Sequence, residues 1–587
     1  MPFLFFIFSF SFAQQADAEW IKLLHFEKNI FGTYVSRSNS ENFFTSPERN
    51  PTSELQSFLK AYDIPVVNDD HVVCKFPLRA KYVVKKGYKK AIASHCPKLE
   101  KFKQTLAPVG VSLLFSSYFL ESPGSIFGHT FLRLRRNLPK VATQEQIELL
   151  DHGIGYAANA TTSNPLLHAL LGFTGGFDGV FSLVPYYYKV REYNDNESRD
   201  LWSYDLEMSA KEMDDLVDHL WEVGRSTFPY YYLTENCSYY ILEILEIVTK
   251  RKLVSRMPPW MIPVDSIKAI MEEPGFVKEI SYRPSLKNQF LERAKTLNSD
   301  QIKQVQTFKY GSSWSTAQID TGIEYLELKH PKEVREKNSE PFLLRDQLLR
   351  ERSKRRDSSS INVPRPASPD LIHPSSRAGL LAGYDKRNKS FLSLQQRFAY
   401  YDPLDPPEAK PAFSEVIFMD LSAQYFEDTK KLKLEKSDLI RAKVRTPYTS
   451  WFKPMSYSFT LGGERDRLLC ESCYTFLTHI DFGVSYELSE NLFYLGLYND
   501  FKASSKMSKG YGYYVGPSIE ITSYWAQSFR TKLDLSYLDV VDQDLDAFVK
   551  VNFEARLDVK KDVFSLSASY MLIDTITETR LGLYYYY

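Results

Sequence analysis

A thiol and an imidazole, with the backbone around them, are the groups of this 587-residue chain whose types and settings suit chemistry. Cys237 stands in "YLTENCSYYILEIL", directly after Glu235 and Asn236 and at the start of an apolar, helix-like run. The nucleophilic form of cysteine is the thiolate, and a helix N-terminus favours it through the dipole and the free backbone N–H groups. The same N–H groups suit an oxyanion hole for a tetrahedral intermediate. Such a nucleophile needs a base, and histidine is the natural one near neutral pH. Of the ten histidines, His129 has the best setting, in "ESPGSIFGHTFLRLR", where a Ser/Gly/Pro loop runs into a strand-like segment. Gly124 and Gly128 permit tight backbone turns there. Ser122 and Ser125 offer hydroxyls to a substrate, and Asn236 and Tyr156 are the further candidates for substrate contact. Two residues compete to orient the imidazole, His152 in "LLDHGIGYAAN" and Asn159; a symmetric hairpin would set Tyr156 to Asn159 opposite His129. Arg191 and Arg199, in "KVREYNDNESRDLW", carry charge suited to a phosphate, yet read more simply as a solvated ion-pair cluster with Glu192.

These groups need elements to hold them. Between about Ala107 and Val277, short β-like runs ("VGVSLLFSSYFL", "HTFLRLRR", "LLDHGIGYAA") precede helical patterns ("SAKEMDDLVDHLWEV", "CSYYILEILEIVTK"). That order predicts a compact α+β domain over residues 106–290. Residues 19–105 read as a helical N-terminal region. Residues 291–375 read as a charged helical connector ending in the basic, then Ser/Pro-rich linker "RERSKRRDSSSINVPRPASPDLIHPSS". The stretch "NPLLHALLGFTGGFDGVFSLVPYYY" suits an acyl-chain groove or a surface dipping into lipid, and equally an ordinary core.

After about Ser376 the texture changes. Runs such as "HIDFGVSYELSE", "LFYLGLYNDF" and "VFSLSASYMLID" alternate apolar and polar residues over about ten positions, the dyad period of a sheet with one apolar face. Roughly 12 such runs, each near the length a tilted strand needs to cross a bilayer, predict an all-β antiparallel barrel over 376–587. The 39 Tyr and 40 Phe supply the aromatics an interfacial girdle requires, and the chain stops on "TRLGLYYYY", like outer-membrane barrels. A soluble sandwich shows the same alternation but rarely so many long, regular strands. An even strand count puts both barrel ends on one side, with the N-terminal domain in the periplasm.

The first 18 residues, with the apolar stretch Phe3 to Phe12 before small-x-small sites, read as an export signal. Lys plus Arg equals Asp plus Glu at 73 each, which gives no field for nucleic acid. Export permits disulfides: Cys74 and Cys96 lie close enough in one segment to pair, and Cys470 and Cys473 flank a short turn. Cys237 is left over. No four-ligand metal cluster and no phosphate-cradling glycine loop occurs, so no cofactor is expected.

"SPGSIFGHTFLRLR", "GGFDGVFSLVPYYYKVREYNDNESRDLWSY" and "LTENCSYYILEIL" together resemble the Lnb-type N-terminal periplasmic domain family. In wider terms, the order of histidine first and "NC" later is similar to circularly permuted NlpC-type, papain-like thiol proteins. The resemblance implies Cys237 as nucleophile and His129 as base. It also implies transfer of an acyl chain from phospholipid to the amine of a lipoprotein. The expectation is therefore an outer-membrane-tethered, periplasmic cysteine acyltransferase or hydrolase. The alternatives are a peptidoglycan peptidase or amidase of NlpC type, and a non-enzymatic barrel with a periplasmic binding module.

Overall fold

The computed structural model describes residues 16–65, 68–89, 95–118, 127–137, 150–162, 164–311, 313–357, 359–386, 389–470, 473–541 and 545–587. Residues 1–15 of the expected export segment lie outside them. The chain divides into one unit of residues 1–117 and 127–290, and another of 118–126 and 291–587.

The first unit opens on the helix Ala18–Leu23, whose N-cap Asp17 accepts from the Trp20 N–H at 2.9 Å. A small hairpin, β1 (Phe26–Lys28) and β2 (Tyr34–Ser36), interrupts an otherwise helical N-terminal region. Helices Pro51–Tyr62, Pro77–Lys85 and Pro97–Leu106 each begin on a proline, where a missing N–H costs nothing. The Cys74–Cys96 disulfide ties the last of these back to the short helix Val72–Lys75.

A seven-stranded antiparallel sheet follows, built from β3 (Pro108–Ser116), β4 (His129–Arg136), β5 (His152–Ala158), β6 (Phe177–Pro185), β7 (Leu201–Leu206), β8 (Thr227–Tyr230) and β9 (Val277–Arg283). Their spatial order is β8-β6-β5-β4-β3-β7-β9. The central pair β3 and β4 is covered on both faces, so both strands read as near-continuous apolar runs. The helix Cys237–Thr249 packs on β4 and β5 from one side. On the other side Tyr186 and Tyr193 close over Leu114 and Phe131.

The second unit contains the helices Ser299–Gln306, Thr316–Lys329 and Glu340–Ser353. Among the described residues, only the short turn Pro369–Leu371 intervenes before the barrel. Its first six strands are β10 (Arg377–Asp385), β11 (Lys389–Tyr401), β12 (Glu415–Phe426), β13 (Lys431–Val444), β14 (Ser456–Arg465) and β15 (Tyr474–Leu488). The rest are β16 (Asn491–Ala503), β17 (Tyr511–Ala526), β18 (Phe529–Val541), β19 (Phe548–Lys560), β20 (Phe564–Ile573) and β21 (Ile576–Tyr586). Each pairs with the next, and β10 pairs with β21 from Arg377↔Tyr586 onward, which closes a 12-stranded barrel with both chain ends at one rim. On β11, Leu394 is 61% exposed while Arg397, three positions on and facing the lumen, is 1% exposed. Apolar outside and charged inside reverses the pattern of a water-soluble protein and is what a lipid solvent selects. The barrel is therefore of the outer-membrane type. No described helix is long and apolar enough to cross a membrane.

Candidate active site

Cys237 is the first residue of its helix, 2% exposed and outside both disulfides. Asn236 is the N-cap. Its side-chain oxygen accepts from the N–H groups of Ser238 at 3.0 Å and Tyr239 at 3.4 Å, and its Nδ2 donates to the carbonyls of Tyr232 and Met261. Every hydrogen-bonding group of this amide is committed inside the protein, so the expectation that Asn236 contacts substrate is corrected: it is a helix cap. The same cap takes two of the N–H groups expected to form an oxyanion hole. The N–H of Cys237 itself donates to the Tyr230 oxygen.

The polar neighbours of the Cys237 sulfur are Thr130 Oγ1 and Ser238 Oγ, both at 3.9 Å; the two hydroxyls bond each other at 3.0 Å. His129 is not hydrogen-bonded to the sulfur among the described residues. The reason is the two-residue period of a strand: Thr130 turns toward the helix, so His129 and Phe131 turn to the other face. There the half-buried imidazole lies 5.6 Å from the Tyr193 ring. Tyr193 and Arg199 lie within electrostatic reach of Cys237, and both adjoin His129. Gly128, at φ 87°, delivers His129 to its strand; a Cβ there would stand 2.9 Å from the Ser116 carbonyl oxygen and closer still to the Phe115 ring.

The sequence pattern around Arg199 reads as a solvated surface charge, and the structure overturns that. Its guanidinium is 1% exposed and donates to the carbonyls of Ser116 and Ser117 at 3.1 and 2.6 Å and to Glu197 at 2.8 Å. Ser116 is the register partner of His129, so Arg199 also fixes the strand end that carries the imidazole. Burial, reinforced by Lys189 and Arg199, pushes the His129 imidazole down to about 3, which keeps it neutral near pH 7 and makes it a weak base in this arrangement. The unfolded imidazole binds its proton more tightly, so acid favours unfolding through this group between about pH 6.5 and 3. Replacing Arg199 by glutamine removes one of the two cations. The His129 titration is expected to move up without regaining its ordinary value, because burial, the largest cause, remains. Histidine-resolved hydrogen exchange read by mass spectrometry measures this; an unmoved midpoint would show that the charge of Arg199 does not reach the ring.

His152 is placed away from these groups. It pairs with Leu134, five residues along β4 from His129, or about 17 Å at the rise of a strand, so it does not orient that imidazole. Continuing the same register sets Ala157 opposite His129, and Asn159 lies just past the end of β5, exposed. Tyr156 is fully buried, packs tilted against the Tyr240 ring at 4.4 Å and donates to the Phe228 carbonyl at 3.1 Å. It is core, which corrects its assignment to substrate. Ser122 and Ser125 lie outside the described residues. Thr130, Tyr193 and Tyr230 carry no motif that sequence alone would single out. One acidic group, Asp214, Asp215 and Asp218, converges closely enough to hold a cation. Lys81 and Lys103 already neutralise it at 2.5 to 2.9 Å, with Lys211 on Asp215.

Comparison with known proteins agrees with this division of the chain. Residues 98–273 match the Lnb N-terminal periplasmic domain; residues 13–86 and 366–586 match two domains of unknown function, DUF7843 and DUF7840. No curated protein matches the chain. Among solved structures, similarity falls on about the barrel's share of the chain. The KdgM porin is 9% identical, covering 36% of this chain and 99% of its own, at a TM-score of 0.22. Outer membrane phospholipase A from Escherichia coli is 10% identical, covering 37% and 93%, at 0.22. Omp33 of Acinetobacter baumannii is 10% identical, covering 37% and 100%, at 0.21. The closure of the barrel stands on its own strand pairing. Residues 98–273 thus match the Lnb N-terminal periplasmic domain, in a chain that continues into an outer-membrane-type β-barrel.

Proposed function

We propose that the chain is an outer-membrane-tethered periplasmic acyltransferase or hydrolase working through a thioester on Cys237, with phospholipid as acyl donor and a lipoprotein amine as acceptor. The observation that carries this reading is the free sulfur of Cys237 at a capped helix start, with a neutral imidazole sharing its neighbours Tyr193 and Arg199. In the first half-reaction His129 takes the thiol proton as sulfur attacks the ester carbonyl, and the oxyanion displaces the Tyr230 oxygen from the Cys237 N–H. Collapse expels the lysophospholipid alkoxide, which takes the proton back from His129. An amine, or water in the hydrolytic case, then attacks the thioester and gives a proton to His129, and the C–S bond breaks to expel a thiolate that takes that proton back as the thiol. Because His129 stands on the face of β4 away from the sulfur, this proton transfer requires the start of β4 to re-orient when substrate binds.

An apolar stripe favours lipid over a stem peptide. On the helix Pro165–Thr174, Leu167, Leu170 and Phe173 are 44%, 58% and 40% exposed at a spacing of three, so they are not core. A thiol peptidase of NlpC type would use the same sulfur without needing that surface. The test is to incubate the purified full-length protein with acyl-labelled phospholipid and with peptidoglycan stem peptides. A hydroxylamine-labile fatty acyl group on the Cys237 peptide is expected. A stem-peptide adduct in its place moves the substrate to the peptidase class, and absence of any adduct removes the thioester.

A further inference from the structure

Three features outside the proposed site stand out: the exposed Ile30–Phe31 tip of the β1–β2 hairpin, the buried His25–His219 pair, and the two loops that enter the barrel. The loops are carried furthest by their bonding. Because β10 leaves the rim that receives the chain from the N-terminal side, the β11–β12 connection, residues 402–414, lies at that periplasmic rim, and the described part of the β14–β15 connection, residues 466–470 and 473, at the outer rim.

The inner loop turns into the lumen and is latched to strands on opposite arcs. Asp402 pairs with Arg377 of β10 at 2.5 Å and Arg556 of β19 at 2.8 Å. Asp405, fully buried, takes the same two arginines at 2.9 and 2.8 Å, bonds Arg397 of β11, and accepts from the Tyr586 hydroxyl of β21 at 2.9 Å. Arg530 of β18 donates to the Leu404 carbonyl at 2.8 Å, and Phe413 stacks on Tyr524 of β17 at 4.7 Å. Lys410 folds back onto the carbonyl of Asp402 at 3.0 Å. The outer loop repeats the device with opposite polarity. Arg467 reaches Asp385 of β10, Glu435 of β13 and Glu578 of β21 at 3.3, 2.6 and 2.7 Å. Across the lumen Asp466 holds Lys502 of β16 at 3.1 Å and Tyr514 of β17 at 2.8 Å, and Leu468 and Leu469 pack on Leu538, Val540 and Phe548. The Cys470–Cys473 disulfide closes the tip of this loop. A cavity of about 430 Å³ lies in the lumen, walled by residues of both loops and by charged strand residues.

From this bonding we infer that the barrel is sealed at both mouths and serves as a non-conducting anchor. A 12-stranded barrel is wide enough to need such filling, since only about eight strands are closed by wall side chains alone. The longest connections, 402–414 and 445–455, lie at the periplasmic rim, whereas outer-membrane channels and receptors place their long loops outside. Each latch is a multi-partner charge cluster, in which removing one partner strands the others without water. Neither loop opens without breaking several such contacts at once.

Purified full-length protein in planar lipid bilayers is expected to be electrically silent, while Asp402→Ala/Asp405→Ala/Arg467→Ala, folded by the criterion of heat-modifiable gel mobility, opens a steady conductance. Open-channel current from the unaltered protein would overturn the inference, and so would a folded triple variant that stays silent. A milder variant guards against misfolding. Ser422→Cys, at a buried position on the cavity wall, is expected to resist a membrane-impermeant thiol reagent applied from either side and to react only after unfolding. Prompt labelling of the folded barrel, above the background of the parent chain, would overturn it.

Discussion

Cys237→Ala is expected to lower phospholipid turnover by a factor of about 10³ or more while leaving the folded protein intact. The two halves of this expectation come from different observations. On the proposed mechanism the loss follows from removing the sulfur that would hold the acyl chain; a water polarised by His129 would leave a residual rate. The intact fold follows from how little the sulfur does structurally. Its polar contacts are two hydroxyls at 3.9 Å that already bond each other, so deleting it orphans no donor or acceptor. The remaining cost is a void smaller than a methyl-sized deletion usually leaves, about 1 kcal/mol. Comparing His129→Ala separates nucleophile from base: a fall of about 10² to 10⁴ is the ordinary range for a lost general base. Full activity in His129→Ala beside a dead Cys237→Ala would hand the proton to another residue, and full activity in both would end the thiol mechanism. Turnover is read with labelled phospholipid, and the fold with circular dichroism and heat-modifiable mobility.

The barrel was legible because its information is local. On β15 and β16 alternate side chains face lipid and lumen, so a period of two runs along each segment regardless of its partners. The helix at Cys237 was legible for a similar reason, since an asparagine before an apolar run is an N-cap signal that needs no tertiary knowledge. What failed was everything set by which neighbour covers which face. "GHTF" contains both His129 and Thr130, and only the placement of the Cys237 helix on β4 decides that the threonine meets the sulfur. Register decided against His152, five positions along the strand from where an orienting group must stand. Arg199 lies in a string of charged and polar residues whose pattern says surface, yet the carbonyls of Ser116 and Ser117 draw it inside. "DPLDPPEAK" reads as turn chemistry, which it is. That the turn enters a barrel and meets four arginines depends on strands up to about 150 residues away.

The largest stability effect is expected from Arg79→Ala, at about 3 to 5 kcal/mol. Arg79 sits on the helix Pro77–Lys85 with its guanidinium fully buried between two fully buried carboxylates, Glu54 at 3.5 Å and Glu222 at 3.6 Å. It also donates to the Phe43 carbonyl at 2.7 Å and lies over the Phe43 and Phe76 rings at 4.2 and 4.1 Å. Glu222 meanwhile accepts from the N–H groups of Leu78 and Arg79, so the pair joins the N-terminal helices to the helix Ala210–Val223. Without the cation two carboxylates remain in a dry site. Burial already holds Glu54 above the usual carboxylate range, with Arg79 the first of the groups opposing the rise, so its removal lifts Glu54 further. A carboxyl that binds its proton more tightly folded than unfolded adds stability as pH falls and loses it as pH rises through the folded value. The deficit of Arg79→Ala is therefore expected to be larger at pH 8 than at pH 5. Thermal unfolding of the full-length protein, followed by exposure of the N-terminal region to protease, reads both the size and the pH trend. Adding Glu54→Gln to the variant removes the stranded charge, and it should recover part of the loss and flatten the pH dependence. A deficit that grows toward acid would instead mean that Arg79 acts by its packing on Phe43 and Phe76, with the carboxylates as bystanders.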